Sequence, residues 1–393
     1  MVYIKKIMLA GVLNSVLITY GVSADQSLTL PPILDPNLPT VTTSVPSHFV
    51  RTGPTIQIAI ALDSSGSMEG LSNQAKQTIW KIINEVSKAN KDEQGVTLQV
   101  GLFEYGISDM AQEGHIQLLS HLTNDLDTFS EQMSGMRVGG SNEFGPKVVL
   151  EAVNRLAWSD HPDDMRLMIV AGNEIFQQGD VAMAYAIDKA KRQGIIVNTV
   201  YCGDYSEGVQ HGWQKVAARS GGKYMNIDQD EKLRVIATPF DKEIIELGER
   251  LNETYVAYGA SGMAAKSRQR TQDQYVQALS ESAYIERNVA KTSKSYKADN
   301  WDLVSVAEKD ITQGILLAKE APEFTNKTEA QIKTFLEEKL AIRNDIKDKI
   351  AMLKKKRDQY LVTESKTTTQ GDFGQVLIDG VKEQAQEQGY LFK

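Results

Sequence analysis

Asp63, Ser65 and Ser67 stand at alternate positions directly after an apolar run rich in β-branched residues, 56–62. If that run is a buried parallel strand, its C-terminal end delivers side chains to the rim where open α/β sheets hold their ligands. One carboxylate and two hydroxyls would then point oxygens into one small space. Oxygen-only donors of low total charge suit a hard cation such as Mg²⁺, with Mn²⁺ or Ca²⁺ as alternatives. The same residues have a plainer use, as caps for the free N–H groups of a helix starting near Ser72.

The elements that must position these residues follow from the alternation of patterns. Strands are expected over 56–62, 97–105, 166–171, 194–202 and 222–227, and helices over 73–88, 125–133, 146–156, 180–193 and 212–218. Such alternation implies a doubly wound, mostly parallel α/β sheet covered by helices on both faces. Beyond Pro239 the strand signal fades into a charged, helical C-terminal region, with helices over 241–258, 271–291, 329–360 and 375–388. Within the third, Ile332, Leu336, Ile346, Ile350, Leu353 and Tyr360 approximate a heptad seam that Lys339 and Arg343 interrupt. A coiled coil over 329–362, able to support self-association, and a packed antiparallel hairpin both fit that pattern. The stretch 347–357 holds six basic residues against Asp348 and reads as a solvated face.

The 393-residue chain opens with Lys5 and Lys6, an apolar stretch over 7–20, and Val22-Ser23-Ala24. That order is expected of a signal peptide over 1–24, which puts the mature chain in the periplasm or outside, most simply in a Gram-negative envelope. A membrane enters only if this segment stays uncleaved. Six of the ten prolines fall within 31–54, so 25–54 reads as an extended tether. The α/β domain is expected over 55–235 and the helical region over 240–393. The net charge of −8 argues against a nucleic-acid partner. Cys202, the single cysteine, closes an apolar run and reads as a core thiol.

The Asp-x-Ser-x-Ser loop on this element resembles the metal-ion-dependent adhesion site of the von Willebrand factor type A domain. Val100-Gly101-Leu102-Phe103, Leu122-Thr123-Asn124-Asp125-Leu126, Gly139-Gly140-Ser141 and Ser220-Gly221-Gly222-Lys223-Tyr224 are similar to its other landmarks, so the resemblance spans the whole α/β segment. Phrases such as Ala171-Gly172-Asn173-Glu174 and Thr254-Tyr255-Val256-Ala257-Tyr258-Gly259 also resemble bacterial exported proteins of this type. The resemblance implies that Ser65 and Ser67 ligate the ion directly, Asp63 acts through water or hydroxyls, and Ser141 takes the family's threonine position. A one-residue shift would put Asn142 there, and Glu143 is near enough to contribute. Where the family has a second aspartate the chain offers Asn173 or Glu174, which should weaken the site because affinity rises with ligand charge. The implied partner is a protein that presents an exposed Asp or Glu to the ion.

Other chemistries find less support. The histidines at 48, 115, 121, 161 and 211 show no zinc spacing and read as surface or turn residues. Gly140-x-x-x-x-Gly145 lacks the lysine and hydroxyl of a phosphate loop, and no Gly-x-Ser-x-Gly elbow occurs. Asp163 and Asp164 follow Pro162 in a polar turn and read as solvated. The expected function is therefore a non-enzymatic binding module. A hydrolase with water activated beside Glu143 or Glu174, or a metal-independent scaffold, are the alternatives.

Overall fold

The computed structural model describes residues 53–107, 115–137, 139–227, 236–365 and 373–392. The expected signal and the tether up to residue 52 lie outside them. Five parallel strands and one antiparallel edge strand form the central sheet: β1 (Thr55–Asp63), β4 (Thr97–Tyr105), β5 (Ile116–Thr123), β6 (Met165–Gly172), β7 (Ile195–Cys202) and β8 (Tyr224–Ile227). Their spatial order is β5-β4-β1-β6-β7-β8. A second, three-stranded sheet joins β2 (Ala89–Lys91), β3 (Gln94–Gly95) and β9 (Leu391–Phe392). The doubly wound α/β fold followed by helices is thus present.

The chain leaves β1 toward β4 on one side and reaches β6 on the other, so β1 lies at the topological switch point. Register carries the rim: Asp63 pairs with Tyr105, and Leu62 with Ala171, so three strands end together around Asp63. Every residue of β1 and β4 is buried, which is why their sequences run apolar with little alternation. The edge strand β5 was not among the expected strands, and its mixed burial explains that. Leu122 and Thr123 end this strand, and Asp125 then caps α2 (Leu126–Ser134) by accepting from Asp127 N and Thr128 N.

One face of the sheet packs on α3 (Gly145–Arg155), α4 (Met183–Arg192) and α6 (Trp213–Ser220), with the short α5 (Tyr205–Gln210) following β7. The other face packs on α1 (Glu69–Val86) and α2, and these are covered in turn by C-terminal helices. Val276 of α8 (Gly259–Leu279), Tyr284 of α9 (Glu281–Ala290), Val381 of α13 (Phe373–Glu387) and Tyr390 share one apolar cluster with Ile58, Trp80 and Leu102. The described residues belong to one compact unit. The remaining helices are α7 (Asp241–Asn252), α10 (Leu303–Lys309), α11 (Ile311–Ala318) and α12 (Glu329–Ser365).

Helix α12 runs unbroken from Glu329 to Ser365, and its apolar seam is covered by other helices of the same chain. Its seam residues Ile346, Ile350 and Leu353 pack with Ile244, Leu247 and Ile285, and Ile332 and Leu336 with Leu303 and Ala318. The heptad pattern therefore serves contacts within the chain rather than a coiled coil, with Tyr360 only half-buried. The charged interruption is an ion pair: Arg343 Nη1 donates to Asp302 Oδ2 (2.7 Å) and its Nε to Thr254 Oγ1 (2.9 Å). The basic stretch is not wholly solvated either. Arg357 is buried, donating to Asp241 Oδ1 (2.9 Å) and Glu286 Oε1 (3.1 Å), and Lys354 is buried beside Glu286.

A third buried arginine joins the helices to the α/β layer. Arg287 of α9 donates to Asp127 of α2 and to Asp273 of α8, both at 2.6 Å, while Lys291 donates to Asp273 Oδ2 at 2.6 Å. Burial works against the charge of Asp273, but the two adjacent cations outweigh it and hold its carboxyl below the usual range. Removing one member of such a set strands its partners in low dielectric. Arg287→Met is expected to cost about 3–5 kcal/mol in urea unfolding. Arg219→Met, which breaks the exposed pair with Asp188, should leave the midpoint nearly unchanged.

Candidate functional site

At the end of β1, Asp63 Oδ1 accepts from Ser65 N (2.7 Å), an Asx-type turn that redirects the chain across the rim. Ser65 Oγ and Ser67 Oγ lie 2.9 Å apart, and Ser67 Oγ donates to Asn173 Oδ1 at 3.1 Å. The capping alternative is not realised: α1 begins at Glu69 after Met68, and no side chain caps it. The loop from the next layer is clasped onto this one, with Gly139 N donating to Ser64 O (2.7 Å) and Gly66 N to Gly140 O (3.4 Å).

That clasp brings Glu143 to Asp63. Both are buried, and apart from the proton the two carboxyls can share, no hydrogen bond to Asp63 Oδ2 or Glu143 Oε2 occurs among the described residues. Gly106, at φ +83°, makes room for them: a Cβ there would lie 2.8 Å from Asp63 Oδ1 and 3.4 Å from Glu143 Cγ. Gly172 is as constrained, since a Cβ would lie 2.5 Å from the Tyr105 hydroxyl and 3.3 Å from Asp63 Cβ. Tyr105 itself donates to Ala171 O at 2.9 Å.

Of the expected ligands, Asp63, Ser65 and Ser67 converge. Ser141 is exposed in the neighbouring loop, next to the clasp. Glu143 and Asn173, left open by the sequence, both reach the cluster. Glu174 is exposed, but its charge is felt by Asp63 and Glu143. Two other readings need correction. His115 is buried rather than superficial, because Nδ1 bonds Ile107 O (2.7 Å) and its ring meets Phe144 edge-on. Asp164 is buried rather than solvated, accepting from Thr55 N (2.9 Å) and Ser159 Oγ (2.6 Å). Cys202 is buried as expected, which pushes its thiol up out of the reactive range.

Two carboxyls this close, with no Lys or Arg ion pair to either among the described residues, cannot both ionise cheaply. Burial first, then the hydrogen bond to Asp63 and its charge, pushes Glu143 up to about 9. Burial likewise raises Asp63. The pair shares one proton and titrates as a unit. The two orphaned carboxylate oxygens and the paired hydroxyls form an all-oxygen set, and such a set fits a hard divalent cation in place of the proton. Among the described residues no group of three His, Cys, Asp or Glu gathers to bind metal, so hydroxyls would have to serve as ligands.

No family model matches the chain, and no curated protein matches it. Solved structures do. The conserved hypothetical protein BatB from Bacteroides thetaiotaomicron is 15% identical over 44% of this chain and 90% of its own, with a TM-score of 0.35. The SpRpn10 VWA domain is 18% identical over 45% of this chain and 90% of its own (TM-score 0.34). The proximal thread matrix protein 1 from the mussel byssus, with a zinc-occupied MIDAS motif, is 12% identical over 46% of this chain and 43% of its own (TM-score 0.35). No functional conclusion rests on likeness of this degree. The α/β fold and the rim loop implied by the type A resemblance are both present in the structure itself.

The proton on the pair fixes a pH dependence. The folded state keeps a proton that the unfolded chain releases in the ordinary carboxylate range, so the unfolded state binds fewer protons between there and about pH 9. Stability should therefore fall as pH rises through that window. In chelator, thermal midpoints of the wild type should drop from pH 5 to pH 9. Glu143→Gln, which keeps a donor toward Asp63, should flatten the slope and stand above the wild type at pH 8.

Proposed function

We propose that the chain is a protein-binding module of the bacterial envelope that uses a divalent cation, Mg²⁺ or Mn²⁺, to recognise an acidic residue on a partner protein. One observation carries this reading: buried, donor-less oxygens of Asp63 and Glu143 sit beside the Ser65–Ser67 hydroxyl pair at the switch point of the sheet. Asp63, Ser65, Ser67 and Glu143 would hold the ion, with Asn173 steadying Ser67 and Ser141 offering a further hydroxyl from the exposed side. The ion would supply a positive centre able to take a carboxylate from outside.

Asp63 and Glu143 together offset the charge of a divalent ion, so an outside carboxylate would be held by filling a coordination position that the neutral hydroxyl donors leave open, not by net charge. Exposed Gly66, Ser67 and Ser141 leave an approach to that centre. The hydrolase alternative needs a carboxylate free to take a proton from water. Glu143 instead shares its proton with Asp63, which leaves exposed Glu174 as the carboxylate that reading would need. The envelope location rests on the N-terminal residues 1–24, and no helix among the described residues is long and apolar enough to cross a membrane.

Isothermal titration with Mn²⁺ and Mg²⁺ tests the reading. Heat saturating at one ion per chain is expected, abolished by Asp63→Ala, with affinity climbing up to about tenfold per pH unit below pH 9 as the shared proton is displaced. Silence at millimolar ion, indistinguishable from Asp63→Ala, would remove the cation. Capture of envelope proteins that persists unchanged in chelator would instead favour the scaffold.

A further inference from the structure

Ser141 and Glu143 belong to a loop with no secondary structure of its own, yet Glu143 must meet Asp63 closely. Two side chains at the base of the β4–β5 ribbon hold that loop from opposite ends. Glu104, at the end of β4, is fully buried, and its Oε2 accepts from Arg137 N at 3.1 Å. The Arg137 guanidinium lies 3.7 Å from Glu104 Oε1 and donates to Gln117 Oε1 of β5 at 2.9 Å. Burial raises the Glu104 carboxyl, and bonding to Arg137 opposes that rise.

His115, one residue before β5, holds the other end. It is buried in a left-handed backbone conformation, φ +61°, that a non-glycine side chain seldom adopts. With Nδ1–H donating to the Ile107 carbonyl (2.7 Å), Nε2 is left as an acceptor, and Asn142 Nδ2 lies 3.3 Å from it. The ring also packs edge-on against Phe144, 5.4 Å between centroids. Asn142 and Phe144 flank Glu143. Their two contacts fix the backbone on both sides of the carboxyl that faces Asp63.

We propose that Glu104 and His115 are positioning residues for the ion site, the first locating the loop at Arg137 and the second the Asn142–Phe144 end. This inference rests on the cation reading for its consequence and on the hydrogen bonds alone for its geometry. Neither residue is among those proposed to hold the ion. Each acts through the backbone that carries Glu143 and clasps Ser64 and Gly66. Partners that orient metal ligands typically change affinity 10–100-fold when removed.

Mn²⁺ titration of Glu104→Ala, His115→Ala and their conservative variants Glu104→Gln and His115→Gln tests the assignment, together with amide hydrogen exchange in chelator. Each alanine variant should weaken Mn²⁺ binding by about 10–100-fold. Glu104→Gln, whose amide oxygen still accepts from Arg137 N, should recover most of it. Exchange should quicken at Gly139 and Gly66, the clasping amides, and not at β1 or β6. Unchanged Mn²⁺ affinity in both alanine variants would overturn the proposal. So would unaltered exchange at Gly139, even if the wild type bound no Mn²⁺; quickened exchange without any Mn²⁺ binding would leave the geometry standing and sink only the cation reading.

Discussion

Two carboxyls meet at the end of the central strand with no Lys or Arg paired to either among the described residues, and much of the α/β layer is arranged so that they can. Asp63 arrives there because β1 is paired on both edges and its register with β4 and β6 ends all three strands together. Glycine at 106 and 172 supplies the space. Tyr105 commits its hydroxyl to Ala171 and so offers Asp63 no donor. A buried acid pair is costly unless a proton or a cation is shared between the members. That cost bears on every conformation of the rim, because a rim that opened would hydrate both groups and relieve it. The closed arrangement therefore implies strong compensating contacts elsewhere.

The helical region contributes a set of buried ion pairs. Three buried arginines, Arg287, Arg343 and Arg357, each reach carboxylates on more than one element or a carboxylate and a backbone carbonyl. Arg287 also lies 5.3 Å over the Trp80 ring, and Arg343 4.3 Å over Tyr255. Buried ion pairs are weak evidence of stability, since desolvation offsets most of the attraction. Their directional demand is another matter. A guanidinium that must satisfy partners on separate helices accepts few arrangements of those helices, so the network selects one packing among several that apolar residues alone would tolerate.

The metal-type loop and the strand beneath it were readable because both depend on local order: an apolar run, then oxygens at alternate positions. Glu143 was harder. Gly139-Gly140 locates the loop in sequence, but which of the residues at 141, 142 and 143 turns inward depends on His115 and Glu104, distant in sequence and visible only once β4 and β5 pair. The edge strand β5 escaped for a related reason, as its half-solvated pattern lacks the apolar run of β1. In α12 the heptad spacing was real, and its charged interruptions looked like defects. At Arg343 the countercharge is Asp302, the cap of α10, while Lys339 donates to the Glu253 carbonyl. Asp164 repeats the lesson: a polar turn by sequence, a buried acceptor once Thr55 N approaches it.

The two layers bear on each other through α1. This helix starts at Glu69, two residues beyond Ser67, and one side of it packs on the sheet through Ile79 and Ile83. Its other side is gripped by the C-terminal helices: Asn84 Nδ2 donates to the Glu286 carbonyl and carboxylate (2.8 and 2.7 Å), and Lys76 Nζ to the Tyr275 hydroxyl (3.2 Å). A helix held on both sides cannot slide or tilt without breaking contacts on one of them. The loop leading into it inherits that restraint, as the loop bearing Glu143 inherits its own from the β4–β5 ribbon. A site whose ligands are fixed before the ligand arrives loses less conformational entropy on binding. For a cluster of two carboxylates and several neutral oxygens, such preorganisation is what would let it compete with water for an ion, and it ties the rim chemistry to the helical region through α1.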